Sequence, residues 1–145
     1  MEKIKDGIYY LTGVDRYTEE ELRRVLDNAF IYGGENGVAI ELQPVNEEEE
    51  PVVYVATEDA CDGYRSHGDF FSVPGYRIKN KFEKEKVRVF TLEGETKYGS
   101  PWELTEIRSY YDNSLICKVG TENYNDWYPC AIFEWRPENL SVNKW

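Results

Sequence analysis

The residues of this chain best suited to chemistry crowd the stretch Leu104 to Arg136, where two β-rich runs flank a loop dense in Asn, Asp, Tyr and Trp, GTENYNDWY at Gly120 to Tyr128. Asn and Asp favour turns because their short side chains hydrogen-bond the local backbone, and Tyr and Trp present flat faces that stack on a ring. Aromatics held at a polar loop point to a small-molecule pocket. Trp127 is divided between stacking on a ligand and packing, whereas Trp135 sits in a run of apolar alternation and reads as core.

Catalytic chemistry has little to work with. The chain holds one histidine, His67, so a multi-histidine metal site is excluded, and a Ser-His-Asp or Cys-His arrangement would have to use His67 with no recognisable partner. Cys61, Asp62 and Asp69 lie near it in sequence, but their spacing matches no common zinc pattern. Gly33 to Gly37 (GGENG) lacks the lysine of a phosphate-binding loop and reads as a turn. With 28 acidic residues, no carboxylate pair stands out as an acid and base. The reading is a non-enzyme with no catalytic residues, no metal and no cofactor.

Composition sets the class. Against 17 Lys and Arg stand 28 Asp and Glu, a net charge of −11 that repels phosphate backbones and argues against direct nucleic-acid binding. The surplus of acid serves solubility or, alternatively, mimics nucleic acid toward a basic partner. Hydrophobic residues make up 41% and aromatics 15%, which fits a globular domain and not a disordered chain. No apolar run approaches the roughly 18 residues of a membrane span, and no export signal opens the chain. The three cysteines, Cys61, Cys117 and Cys130, are odd in number and suit a reducing cytoplasm. Cys117 and Cys130 fall on neighbouring runs, so a cross-strand disulfide is geometrically open, with buried free thiols the other reading.

The elements expected to position the loop form a single α+β domain over residues 1–145. Gly7 to Leu11 reads as a strand. Thr18 as N-cap, Glu21 at N3 and Tyr17 stapling onto Leu22 predict a helix with a buried stripe of Leu22, Val25, Leu26, Ala29 and Phe30, ended by Gly33-Gly34. Val38 to Leu42 and Val52 to Thr57 predict a hairpin around an acidic loop, Glu47 to Glu50. Glu58 to Lys86 is irregular. Val87 to Leu92, Leu104 to Tyr111, Leu115 to Val119 and Tyr128 to Trp135 predict further antiparallel strands, with Asp112-Asn113-Ser114 a tight turn. The expected fold is an antiparallel sheet of six or more strands carrying one principal amphipathic helix near the N-terminus.

Two segments resemble a known family. Pro51 to Ser66 (PVVYVATEDACDGYRS) is similar to a segment of small phage and bacterial β-rich proteins in which a strand runs into an acid-Cys-Cys-acid motif, here Asp59-Ala60-Cys61-Asp62. Leu104 to Tyr128 resembles that family's closing hairpin. The likeness spans about 40 of the 145 residues; Ala60 replaces the first cysteine, and the helix with its acidic loop departs from the family's compact β start. The family includes the first class of Thoeris anti-defence proteins, phage sponges that sequester cyclic ADP-ribose signals without cleaving them. The resemblance implies a cytoplasmic homo-oligomer with pockets where an aromatic stacks on adenine while Arg and Asn hold ribose and phosphate. Carried onto this chain, Tyr124, Trp127 or Tyr128 would stack the base, and Asn123, Asn125, Arg65 and Arg108 would contact ribose and phosphates. Arg65, Arg77 and Arg108 each adjoin a tyrosine or lie one residue from it, and the plainer reading is surface Arg–Tyr pairs. From another class, an acidic inhibitor of a basic nuclease or defence complex would use Glu47 to Glu50 with Glu58, Asp59 and Asp62 against a protein partner.

Overall fold

The computed structural model describes residues 4–18, 34–46, 48–59, 67–73, 76–122 and 130–140. Alternating apolar and polar residues with many β-branched side chains fold into eight strands: β1 (Gly7–Thr18), β2 (Gly34–Pro44), β3 (Val52–Asp59), β4 (His67–Ser72), β5 (Lys81–Glu95), β6 (Pro101–Ser109), β7 (Leu115–Glu122) and β8 (Cys130–Trp135). They make one antiparallel sheet in the order β4-β3-β2-β1-β5-β6-β7-β8. The sheet coils back on itself until β3 and β4 come within 8 Å, Cα to Cα, of β7 and β8. The main core fills the enclosed side, where Val38, Ile40, Leu42, Val87, Val89, Ile107, Cys117 and Val119 meet with Phe133 and Trp135 packed against them.

The fold is therefore all-β, and the expected α+β class is wrong. Among the described residues the only helical piece is a 3-10 turn, Pro137–Asn139. Thr18, expected to cap a helix, is the last residue of β1, and Arg16, Tyr17 and Thr18 pair with Val38, Gly37 and Asn36. Ladder pairing to β2 supersedes the local start signal; residues 19–33, where the rest of that helix was expected, lie outside the described residues. Gly34 to Gly37, read as part of a turn, instead open β2, with an irregular register between Gly34 and Gly37.

A strap crosses the outer face of β1 to β3. Ile78 packs with Ala39, Val53 and Val55, joined by Val73 and Tyr76, to form a second, smaller core. Asp15, 3% exposed, pins the strap. Its Oδ2 accepts from the Tyr76 hydroxyl at 3.1 Å and the Lys79 N–H at 2.8 Å, and its Oδ1 accepts from the Asn80 N–H and Nδ2, both at 2.9 Å. Val14 N–H adds a bond to the Asn80 carbonyl at 3.1 Å. The close approach requires Gly13, where a Cβ would lie 2.6 Å from Ile78 Cγ2 and 2.9 Å from the Asn80 carbonyl oxygen.

Candidate functional site: a basic and aromatic ridge

Strand periodicity puts Glu85, Val87 and Val89 of β5 inside, where all three are buried. Lys84, Lys86 and Arg88 consequently share the outer face. Tyr10 of β1 stands opposite Lys86, and Ile8 opposite Arg88. On the other side Arg88 faces Arg108 of β6, while the Tyr110 N–H bonds the Lys86 carbonyl at 3.1 Å. The result is a cationic stripe edged by tyrosines on a strongly acidic chain.

Ring contacts hold the cations. Lys84 Nζ lies 5.0 Å from the Tyr10 ring centroid, Lys86 Nζ 4.2 Å from that of Tyr110, and the Arg88 guanidinium carbon 5.5 Å from the same ring. At exposed sites each such contact is worth about 0.5–1 kcal/mol. Among the described residues no carboxylate lies within 4 Å of the charged atoms of Lys84, Lys86 or Arg88. Tyr111 meets Tyr110 edge-on at 5.4 Å and is 80% exposed, an open ring face at the end of the stripe.

Arg108 differs from its neighbours. Its Nε and Nη2 donate to Glu106 Oε1 at 2.9 and 2.6 Å, and its Nη1 donates to the Asn113 carbonyl at 3.0 Å. The pair Glu106–Arg108 is thus neutral as a unit and fastens the turn that carries Tyr110 and Tyr111. That turn is the expected one: Asn113 takes φ 61°, and Asp112 Oδ1 accepts from the Ser114 N–H at 2.9 Å and hydroxyl at 2.6 Å. The Ser114 bonds lower the Asp112 carboxyl below its ordinary 3.8.

Of the residues expected to bind ligand, Arg108 alone is described, half-buried on β6. Arg65, Asn123, Tyr124, Asn125, Trp127 and Tyr128 lie outside the described residues. Strand directions still separate their attachment points. The 60–66 connection joins the β3–β4 end where Asp59 pairs with His67, the same end of the sheet as the Tyr110 to Ser114 turn. Residues 123–129 join β7 to β8 at the opposite end, where Glu122 pairs with Cys130. Arg108 pairs with Leu115, and seven residues of strand, about 23 Å, separate Leu115 from Glu122.

At that far end lies an open concavity of about 650 Å³ lined by Glu93, Glu95, Trp102, Glu103 and Thr121 among others. Its Trp102 ring lies over Gly94, where a Cβ would be 2.7 Å from the indole. Glu93 and Glu103 face each other across the ladder, so a phosphate entering there would meet carboxylates. The concavity is thus ill suited to an anion.

The cysteine and histidine expectations resolve in part. Cys117 is fully buried and free, its thiol pushed up to about 12 by burial. It pairs with Trp135, whereas Cys130 pairs with Glu122. Five ladder positions, about 17 Å, part the two cysteines, far beyond disulfide reach. Trp135 packs against the core as its alternation predicts, with its Nε1 buried and lacking a hydrogen-bond partner among the described residues. His67 opens β4 opposite Asp59; Cys61 and Asp62 lie outside the described residues. Exposed Arg77 belongs to the strap.

Sequence reasoning missed Tyr10, Lys84, Lys86, Arg88 and Tyr111 as a group. The signal was present in KFEKEKVRVF, Lys81 to Phe90, whose period-2 pattern places cations on one face. Only the register with β1 and β6 supplies the tyrosines.

No helix among the described residues is long and apolar enough to cross a membrane. No protein-family model, no curated protein and no solved structure matches this chain.

Proposed function

We propose that this protein is a non-catalytic, cytoplasmic, homo-oligomeric binding protein that captures a small nucleotide signal, of the cyclic ADP-ribose type that the resemblance to Thoeris anti-defence proteins implies. One observation carries the reading: Lys86 and Arg88 share the Tyr110 ring with no carboxylate partner among the described residues, beside the open ring of Tyr111. Cations without internal partners favour phosphate by charge-assisted hydrogen bonds, and an exposed tyrosine offers stacking to a base. A ridge on an open sheet face covers one side of a ligand. Capture sites enclose most of the ligand's surface, so a second wall from another copy is the simplest completion.

A second reading, an acidic inhibitor of a basic protein partner, draws on Glu48, Glu49 and Glu50, all exposed on the β2–β3 loop. The two separate by experiment. Protein purified from cells expressing a TIR-type signalling enzyme is measured by native mass spectrometry, with the double variant Lys86→Glu/Arg88→Glu alongside. Capture predicts an intact nucleotide, released on denaturation and absent from the variant. An empty wild-type protein that also ignores a panel of nucleotides overturns the reading in favour of a protein partner.

A further inference from the structure

We infer that the ridge binds a linear oligophosphate chain laid along β5, and not a single phosphate group. The inference rests on the reading that this face takes a phosphate-bearing ligand, and it names the form of the phosphate.

Lys84, Lys86 and Arg88 are successive outward positions of one strand. Alternate residues of a strand are about 6.6 Å apart, so the three cations mark a line about 13 Å long. The line is stiff because Glu85 and Val87, the intervening residues, are buried. The heads are placed as well, Lys84 against Tyr10 and both Lys86 and Arg88 against Tyr110. Ordering long side chains is a large part of what binding costs, and rings that already hold them reduce it.

Charge balance points the same way. Arg88 stands directly opposite Arg108, whose own charge is already balanced by Glu106. Glu106 is spent on Arg108, Glu85 is turned inward and buried, and Asp112 sits on the turn beyond the row, hydrogen-bonded to Ser114. Three positive charges in a row are left for an external anion. One phosphate can meet one end of that row, whereas each further phosphate of a chain covers more of it, and the flexible lysine heads can close on its ends. Inorganic oligophosphate and the tail of a nucleoside triphosphate share this chemistry, and the nearby Tyr111 ring is what would distinguish them.

Isothermal titration at about 50 mM salt, where contacts to phosphates are strong, tests this with orthophosphate, pyrophosphate, tripolyphosphate, adenosine triphosphate and cyclic adenosine monophosphate. Tripolyphosphate is expected to bind at least about tenfold more tightly than orthophosphate, with pyrophosphate between. Lys84→Gln and Arg88→Gln, both at exposed positions with folding checked by circular dichroism, are each expected to weaken tripolyphosphate about fivefold or more and to draw it toward orthophosphate. Adenosine triphosphate tighter than tripolyphosphate assigns the ligand to the nucleotides; equal affinity assigns it to inorganic chains and removes the nucleotide reading while the oligophosphate site stands. Cyclic adenosine monophosphate binding as tightly as adenosine triphosphate overturns the oligophosphate inference and leaves the capture reading intact. Tripolyphosphate no tighter than orthophosphate, or unaffected by Lys84→Gln, also overturns the inference, and no binding by any of the five overturns both.

Discussion

Removing the Asp15 carboxylate should loosen the strap and cost about 3 kcal/mol. The carboxylate accepts four hydrogen bonds, from the Tyr76 hydroxyl, the Lys79 and Asn80 N–H groups and the Asn80 amide, at 2.8 to 3.1 Å. Hydrogen bonds to a charged group are worth about 1.5–3 kcal/mol each. Lys79 and Asn80 are exposed, so water recovers part of their loss in Asp15→Ala, and about 3 kcal/mol is the expected net. For a domain of this size that lowers Tm by about 6–12 °C. Tyr76→Phe removes one of the four bonds and keeps the ring against the smaller core, for about 1 kcal/mol. Because the Tyr76–Asp15 bond is already lost in Asp15→Ala, the two losses should be less than additive, with a coupling of about 1 kcal/mol. Chemical denaturation of the four proteins measures it. Strictly additive losses, or an Asp15→Ala cost below about 1 kcal/mol, would refute the strap as a carboxylate-centred unit.

Three further expectations concern the same scaffold. Burial first, and then the hydrogen bond and charge of Asp15, raise the Tyr76 phenol above its ordinary 10.0. The folded state therefore holds the phenolic proton longer than the unfolded chain, the stabilisation is complete below pH 10, and stability falls as pH rises beyond it; Tyr76→Phe should flatten that alkaline fall in thermal melts, and an unchanged slope would contradict it. Gly120 takes φ +135° on β7, and a Cβ there would strike the Glu103 carbonyl oxygen. Gly120→Ala should cost at least about 3 kcal/mol by denaturant unfolding, whereas a cost under about 1 kcal/mol would show that β6 and β7 can move apart. Cys117, buried with its thiol pushed up to about 12, should resist alkylation in native protein and react once unfolded, read by peptide mass mapping. Rapid native labelling of Cys117 would place it outside the core.

How far the residues announce this architecture depends on the kind of signal each segment carries. Val87 to Leu92 alternates, Val38 to Leu42, Val52 to Thr57 and Leu115 to Val119 are short apolar runs rich in β-branched residues, and each lies inside an observed strand. The Asp112-Asn113-Ser114 turn was readable because its bonds are local. The ends were not. β1 runs on from Leu11 to Thr18 through a shift in register at Gly13, and β5 begins at Lys81 in a charged stretch with no apolar alternation. β4 (HGDFFS) carries a glycine and is held by pairing to β3, which no local pattern encodes. Thr18 and Glu21 offered a capping box, but the long-range ladder to β2 takes Thr18. Arg108 was visible as an arginine near a tyrosine; its neutralisation by Glu106 depends on a strand geometry that projects both residues to one face. Lys84, Lys86 and Arg88 required the opposite step, seeing which carboxylates are turned away.

That separation of charge explains how a chain of net charge −11 can offer a site to an anion. The exposed acids Glu93, Glu95 and Glu103 gather at the far end of β5 and β6. Seven residues of β5, about 23 Å, lie between Arg88 and Glu95. The Debye length at physiological ionic strength is about 8 Å, so the acidic end is screened from the ridge by more than two such lengths. The cations, by contrast, meet a bound phosphate at hydrogen-bond distance, where screening is weak. A short anion lying along the roughly 13 Å of β5 from Lys84 to Arg88 thus meets three cations at contact range, while Glu93, Glu95 and Glu103 act on it only through screened solvent. Sheet length, set by buried valines on one face, is what holds the two charge territories apart.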